Sequence, residues 1–218
     1  GIMESHHYGW WPSIVSELTK WAYWLPAVSL EETAARLAVR DFGPEGGPLA
    51  VEAWRHWSEA INDYIPTNED QYGPCRVGPS YPLVFPVNFS RTFRSADAPI
   101  PSAPYAHAGS RIVFTRYQPL ESPQQSPGPS RIDVEIDSLQ RLLARWRLGL
   151  DALGKAIALS PERKQPAGQR LELLGRFICN TVITTIHVKQ WWKCCQRLRV
   201  EASPSRANAI LDEMVLIA

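Results

Sequence analysis

One short stretch of the chain brings together side chains that are typical of sugar binding and proton transfer. Residues 68–82 read NEDQYGPCRVGPSYP and contain two adjacent acids, Glu69 and Asp70, followed by Tyr72 and Arg76. Glycoside hydrolysis uses two carboxyl groups about 5–10 Å apart that flank the scissile bond. Adjacent residues of an extended loop point in different directions, so Glu69 and Asp70 cannot form that pair with each other. We favour a structural role over catalysis, with Asp70 accepting backbone N–H groups and Glu69 paired with Arg76, while contact with a substrate stays open.

Motifs of other reactions are missing from the sequence. It has no GxSxG elbow of a serine hydrolase and no nucleotide loop of the form GxGxxG, GxxxxGKS or GxxxxGKT. His6 and His7 stand beside Tyr8 and Trp10, but no third ligand follows at a spacing that a metal site requires. We therefore expect no metal and no cofactor.

The four cysteines do not form a disulfide framework for a chain of this length. They are Cys75, Cys179 and the vicinal pair Cys194 and Cys195, and no CxxC pair is present for zinc. We expect free, partly buried thiols in a reducing compartment. No basic region followed by an apolar run opens the sequence as in a signal peptide, so the cytoplasm is the expected location.

A polar and aromatic stripe is predicted on a long helix near the C-terminus. Asn180, Thr184, His187 and Trp191 follow one another at spacings of four, three and four, which places them on one side of a helix. Such a stripe forms a hydrogen-bonded network inside the protein or faces a ligand. We favour the network.

Composition limits the classes of partner. The 218 residues are 44% hydrophobic with a net charge of +1, so a sizeable core is expected and a nucleic-acid binder with a basic face is not. No apolar stretch of about 20 residues predicts a membrane span. Six of the nine tryptophans fall in the N-terminal third, where packing in a core is favoured over stacking on sugar rings. These six are Trp10, Trp11, Trp21, Trp24, Trp54 and Trp57.

Apolar spacing predicts an all-α fold, a helical bundle with a long Pro-rich irregular excursion and little strand. Ser29 and Glu32 form a predicted capping box, and Gly43-Pro44 is a predicted helix end. Prolines are dense between residues 66 and 129, where 111–117 is the one plausible strand. The predicted helices span 12–24, 29–43, 48–65, 131–159, 167–200 and 204–217.

Several segments, together covering most of the chain, resemble a group of bacterial glycoside hydrolases. In those proteins a helical C-terminal region follows a catalytic (β/α)-barrel. The segments that carry the resemblance are GWWPS (9–13), ARLAVRDFGPE (35–45), EAWRHWSEA (52–60), NEDQYGPCRVGPSYPL (68–83), LGRFICNTVITTIHVKQWW (174–192) and ANAILDEMVLIA (207–218).

The resemblance implies a domain organisation and a set of sugar-contacting residues. Residues 1–11 would be the remnant of the exit from the barrel, 12–65 the N-terminal helices, 66–130 the irregular region, and 131–218 a long-helix bundle that packs with 12–65 as one domain. Active sites of such barrels lie at the carboxyl ends of the strands. The resemblance therefore implies that the sugar-binding site is bordered by His6, His7, Trp10 and Trp11. Where the family carries Trp before the Gly-aromatic-aromatic-Pro-Ser run, this chain has His6 or His7.

Two functions remain open at this stage. In the first, the chain is a fragment of a carbohydrate-active enzyme, an accessory region whose loop 68–82 reaches the substrate face and whose catalytic groups lie in the missing barrel domain. That loop would contribute Glu69, Asp70, Tyr72 and Arg76, held by its prolines; its plainer role is a wedge between domains. In the second, the chain is a free-standing helical interaction module that forms a homo-oligomer through exposed apolar surface.

Overall fold

The computed structural model describes residues 13–22, 28–64 and 129–218. Of the described residues, 92% are helical and none lies in a strand, which confirms the predicted all-α class. The strand predicted at 111–117 lies outside the described residues. The helices are α1 (Ile14–Ala22), α2 (Leu30–Ala60), α3 (Pro129–Leu159), α4 (Gln165–Val200) and α5 (Pro204–Ile217), with 3-10 turns at Ile61–Asp63 and Glu162–Lys164.

Helix α2 is interrupted at Gly43, as predicted, but the helix resumes earlier than expected. Gly43 has φ 82°, a left-handed conformation that glycine adopts without steric cost, and Pro44 follows it inside the helix. Proline suits the first position of a helix, so the second segment begins at Pro44, and the predicted start at Pro48 is wrong. The predicted end at residue 65 is also late, because α2 gives way to a 3-10 turn after Ala60.

Side chains satisfy both ends of the first segment of α2. The backbone N–H of Glu32 donates to Ser29 Oγ at 3.2 Å, which is the N-cap bond of the predicted capping box. The Glu32 carboxylate accepts from Arg36 Nη2 at 2.5 Å. Near the break, Lys164 Nζ donates to the carbonyl of Arg40 at 2.6 Å and to that of Val39 at 3.3 Å. These carbonyls belong to the last turn, where the helix offers them no N–H partner.

The chain divides into two compact units, of which the first comprises the described parts of Gly1–His56 and Leu148–Leu174. In this unit α3 approaches α2 closely at Gly46, and α4 approaches α3 closely at Gly168. A Cβ placed on Gly46 would lie 2.6 Å from the Ala156 carbonyl oxygen, and one on Gly168 would lie 2.7 Å from Ile157 Cγ1. The buried apolar side chains around these contacts are Leu37, Ala38, Phe42, Ala50, Ala53, Leu153, Ala156 and Ile157.

The second unit comprises the described parts of Trp57–Arg147 and Gly175–Ala218. Within it α3 and α4 run antiparallel, since Glu135 near the start of α3 meets Lys189 and Trp146 further along meets Gly175. Helix α5 packs on the end of α4, where Ile210 and Met214 join Cys194 and Cys195 in one buried cluster. The predicted boundaries of α3, α4 and α5 agree with the structure to within two residues. No helix of the described residues is long and apolar enough to cross a bilayer.

Two glycines in the first unit separate the effect of close packing from that of helix propensity. We expect Gly46→Ala to lower the free energy of unfolding by about 1–3 kcal/mol, because its Cβ meets a backbone oxygen that cannot move away cheaply. The matched control is Gly154→Ala, since no atom lies within 4 Å of that Cβ. Alanine is the better helix former, so this control should raise the free energy by about 0.5–1 kcal/mol. Urea unfolding followed by circular dichroism measures both, and equal effects would contradict the close approach.

Candidate functional site

The sugar-contacting residues predicted from the sequence all lie outside the described residues. The structure therefore neither brings them together nor separates them. They are His6, His7, Trp10, Trp11, Glu69, Asp70, Tyr72 and Arg76. The nearest described position to the loop 68–82 is Tyr64, the residue that follows the 3-10 turn at the end of α2.

The stripe predicted on α4 divides between two environments. Thr184 Oγ1 donates to the Asn180 carbonyl at 2.9 Å, a bond within one helical turn on the exposed side. His187 is half-buried, and Trp191 packs against the cluster beneath α5. Asn180 and Thr184 thus share a local bond on the exposed side, whereas Trp191 belongs to the packing under α5.

The tryptophans of α2 that the structure describes pack against other aromatic residues. Phe42 and Trp54 meet edge to face with ring centroids 6.2 Å apart, and Trp57 stacks on Trp146 at 4.9 Å with 14° between the planes. Trp146 is 6% exposed. The preference for packing over a sugar platform is therefore confirmed for Trp54 and Trp57. It is wrong for Trp21 on α1, which is 46% exposed.

The end of α2 is attached to α3 by a set of contacts that we call the exit anchor: Trp57, Asp63, Ser138, Arg141 and Trp146. Ser138 Oγ donates to the Asp63 carbonyl at 2.5 Å, and Arg141 Nε donates to Asp63 Oδ1 at 2.9 Å. Trp57 Nε1 donates to the Trp146 carbonyl at 3.1 Å beneath the stacked rings. The anchor thus holds both the backbone and the side chain of Asp63, one residue before the described segment ends.

A further ion pair extends the exit anchor by one turn. Arg145 Nη1 contacts Glu59 Oε2 at 2.9 Å, and Arg145 Nε lies 3.9 Å from Asp63 Oδ2. The two arginines and two acids balance in charge, and their pairs join the end of α2 to α3. The arginine side chains are 51% and 59% exposed, which limits each pair to about 1 kcal/mol or less. The stack and the part-buried bond from Ser138 to the Asp63 carbonyl therefore contribute the greater part of the attachment.

A second feature of this unit is an ion pair buried between α3 and α4. Lys189 Nζ lies 2.7 Å from Glu135 Oε2, and each side chain is 1% exposed. One turn away Lys193 pairs with Asp133 at the surface, where the side chains are 35% and 50% exposed. Taking two charges out of water is costly, and the buried pair is tolerated because each partner neutralises the other.

The sequence contains a signal for the buried pair. Cys179, Val182, Ile186 and Lys189 follow a spacing of three and four along α4, and all four are buried. Glu135 likewise opens a buried series on α3 that continues through Leu139, Leu142 and Trp146. A charge inside an apolar helical series predicts a partner of opposite charge on the facing helix.

The described residues contain no group of His, Cys, Asp and Glu side chains able to hold a metal ion. Cys179, Cys194 and Cys195 are free and buried, as the sequence predicts. Comparison with known proteins yields no matching family model, no matching curated protein and no matching solved structure.

Breaking the buried pair from one side should destabilise the protein strongly. We expect Lys189→Met to lower the free energy of unfolding by about 3–5 kcal/mol, because it leaves the Glu135 charge buried without its partner. The matched control, Lys193→Met, removes the same charge one turn away at the surface and should cost about 1 kcal/mol or less.

The double variant Glu135→Leu/Lys189→Met tests the physical reason. Replacing both charges by apolar groups removes the desolvation cost, so the double variant should recover most of the loss. Chemical unfolding of all four proteins in one buffer gives the comparison. A double variant less stable than Lys189→Met would show that other bonds of these two residues, and not their mutual pairing, dominate.

Proposed function

We propose that this chain is an accessory helical region of a bacterial carbohydrate-active enzyme, a glycoside hydrolase, and is not catalytic by itself. Its helices support a sugar-contacting loop, residues 68–82, and a catalytic barrel domain of the same parent protein supplies the reacting carboxyl groups. The proposal rests on the sequence resemblance and on the exit anchor. It assigns substrate contact to Glu69, Asp70, Tyr72 and Arg76, together with His6, His7, Trp10 and Trp11 at the barrel edge.

The exit anchor is the observation that carries the proposal. A loop that binds a sugar needs a fixed starting point, because hydrogen bonds to hydroxyl groups lose strength steeply with misalignment. The anchor fixes the backbone of Asp63 through Ser138 and its carboxylate through Arg141. The loop at 68–82 begins five residues later (68 − 63). The helices therefore provide a rigid stem at the place where the proposal needs one.

The thiols bear on the proposed compartment. Cys179, Cys194 and Cys195 are all free. Vicinal thiols persist without oxidation where glutathione and thioredoxin keep cysteines reduced. The cytoplasm is therefore the compartment that we propose.

Weak sugar binding by the isolated chain tests the proposed contacts. We expect saturation-transfer NMR with a panel of oligosaccharides to show binding that Tyr72→Ala and Arg76→Ala each weaken about tenfold, the loss of one good hydrogen-bonding group. Arg147→Ala, on the exposed side of α3, is the control for removing an arginine and should leave binding unchanged.

Two outcomes would overturn the proposal in different ways. Hydrolysis of aryl glycosides by the purified chain would show that catalytic groups lie within it. If the chain bound no sugar of the panel, the loop would not have the proposed role in sugar contact.

The exit anchor should matter for sugar binding more than for stability. We expect Asp63→Ala to reduce the NMR saturation transfer at least about twofold while changing the free energy of unfolding by about 1 kcal/mol or less, since the Arg141 side chain is largely exposed. Asp137→Ala is the matched control, because it removes an exposed acid of α3 that is not part of the exit anchor. It should change neither the saturation transfer nor the free energy of unfolding. Equal sugar binding by both variants would show that the carboxylate contacts of the anchor do not position the loop.

The second candidate function is self-association as a helical interaction module. It is favoured by exposed apolar side chains of the last two helices, where Val200, Val215 and Leu216 are 80%, 75% and 88% exposed. Exposed apolar side chains mark a contact surface where they form a contiguous patch. Light scattering at two concentrations distinguishes the candidates, because an oligomer of constant mass with no sugar binding supports self-association.

A further inference from the structure

Two adjacent thiols are sealed beneath the last helix. Cys194 and Cys195 are each 1% exposed and lie in one cluster with Ile210 and Met214 of α5. Adjacent residues of a helix point about 100° apart, so both are buried together because neighbouring structure covers the edge between them. Ile210 and Met214 are the α5 members of this cluster, so withdrawal of α5 would remove part of the cover of both thiols.

Helix α5 contributes only two buried side chains to the part of the chain that the structure describes. Of its fourteen residues the buried ones are Ile210 and Met214, and Ser203 at its N-cap makes no side-chain capping bond. Arg197 Nη1 on α4 contacts Glu213 Oε2 at 2.5 Å, but both side chains are about half exposed. The pKa of Glu213 is lowered, chiefly by the hydrogen bond from Arg197, so the pair is charged at neutral pH. Elements with few buried contacts open locally before the protein unfolds.

We propose that α5 is a latch over a modification site, the vicinal dithiol Cys194–Cys195, which small disulfides such as glutathione disulfide modify when the latch opens. The modified thiol no longer fits beneath Ile210 and Met214, so modification keeps α5 open. The two cysteines and helix α5 both belong to the second unit. The proposal does not depend on the sugar-binding function.

The closed latch suppresses the reaction through the protonation of the thiols. Burial, followed by Glu213, raises the pKa of Cys194 to about 11, and burial, followed by Cys194, raises that of Cys195 to about 12. Lys193 and Arg197 act on Cys194 in the opposite direction. The thiolate is the nucleophile, and an exposed cysteine has a pKa of about 8.5. Opening α5 therefore increases the thiolate population as well as the access of the reagent.

The reaction is thiol–disulfide exchange and needs no further oxidant. The cysteine loses its proton, and its sulfur attacks one sulfur of glutathione disulfide. A new S–S bond to the protein forms as the S–S bond of the reagent breaks. The departing glutathione thiolate takes up a proton, so the cysteine is oxidised and one half of the reagent is reduced to a thiol.

Labelling of the full chain with N-ethylmaleimide, followed by mass spectrometry, tests the latch. Met214→Ala should increase the labelling rate of Cys194 and Cys195 at least about tenfold, because it truncates one of the two buried side chains of α5. Cys179, buried elsewhere on α4, is the internal reference and should keep its rate. Leu211→Ala is the matched control, since that side chain is 41% exposed on the same helix and should change no rate.

Ile210→Ala provides a second loosening variant, and amide hydrogen exchange of α3 verifies that each variant is folded. Incubation of the natural sequence with glutathione disulfide should then attach glutathione to Cys194 or Cys195 and increase amide exchange in α5 but not in α3. A parallel rise at Cys179 in both loosening variants would overturn the proposal, because the thiols would then react through global unfolding. So would glutathione attachment that leaves exchange in α5 unchanged.

Discussion

The buried contact between Lys189 and Glu135 is the constraint on which the second unit depends. Each side chain is 1% exposed, so neither charge has water as a substitute for its partner. A shift of α4 along α3 would separate these two buried charges from each other, at a cost of several kcal/mol. The pair therefore fixes which residues of the two helices face each other. About three turns along α3, Trp146 Nε1 donates to the Gly175 carbonyl at 2.9 Å in the same register.

The exit anchor depends on that register. Ser138, Arg141 and Trp146 lie on α3 between the buried pair and the end of the unit, and they hold the last described residues after α2. A helix that could slide would carry these three side chains away from Asp63 and Trp57. Because α3 is held in place against α4, the chain has a defined position where it leaves α2. In the proposed function, that position is where the sugar-contacting loop starts.

Much of the fold could be predicted from local sequence, and the reasons are visible in particular residues. Apolar spacing predicted α3, α4 and α5 because each buries one continuous side, and Ser29 and Gly43 marked helix ends because their chemistry is specific to those positions. The sequence did not predict that α2 resumes at Pro44, because Pro44 and Pro48 are both prolines that suit the first position of a helix. The contact of the preceding turn with Lys164 also cannot be read from local sequence. Lys189 was overlooked because a lysine is normally assigned to the surface.

The candidate site was predictable to a smaller degree. Pairing Asp63 with Ser138 and Arg141 requires two positions more than seventy residues apart to meet, which no local pattern encodes. The aromatic residues gave a partial signal, since Trp57 and Trp146 both lie on apolar helix sides and stack in the structure. The residues for which the sequence made its strongest functional suggestion, Tyr72 and Arg76, lie outside the described residues.

The exit anchor combines two kinds of contact that respond differently to ionic strength. Salt screens the attraction between exposed charges, such as Arg141 with Asp63 and Arg145 with Glu59. The Debye length is about 8 Å at physiological ionic strength and shorter at higher ionic strength. The stacked rings of Trp57 and Trp146 and the Ser138 bond to a carbonyl carry no net charge, and electrolyte screens them little. A concentrated salt solution thus weakens the hold on the carboxylate of Asp63 more than the hold on its main chain, which makes the joint softer without undoing it.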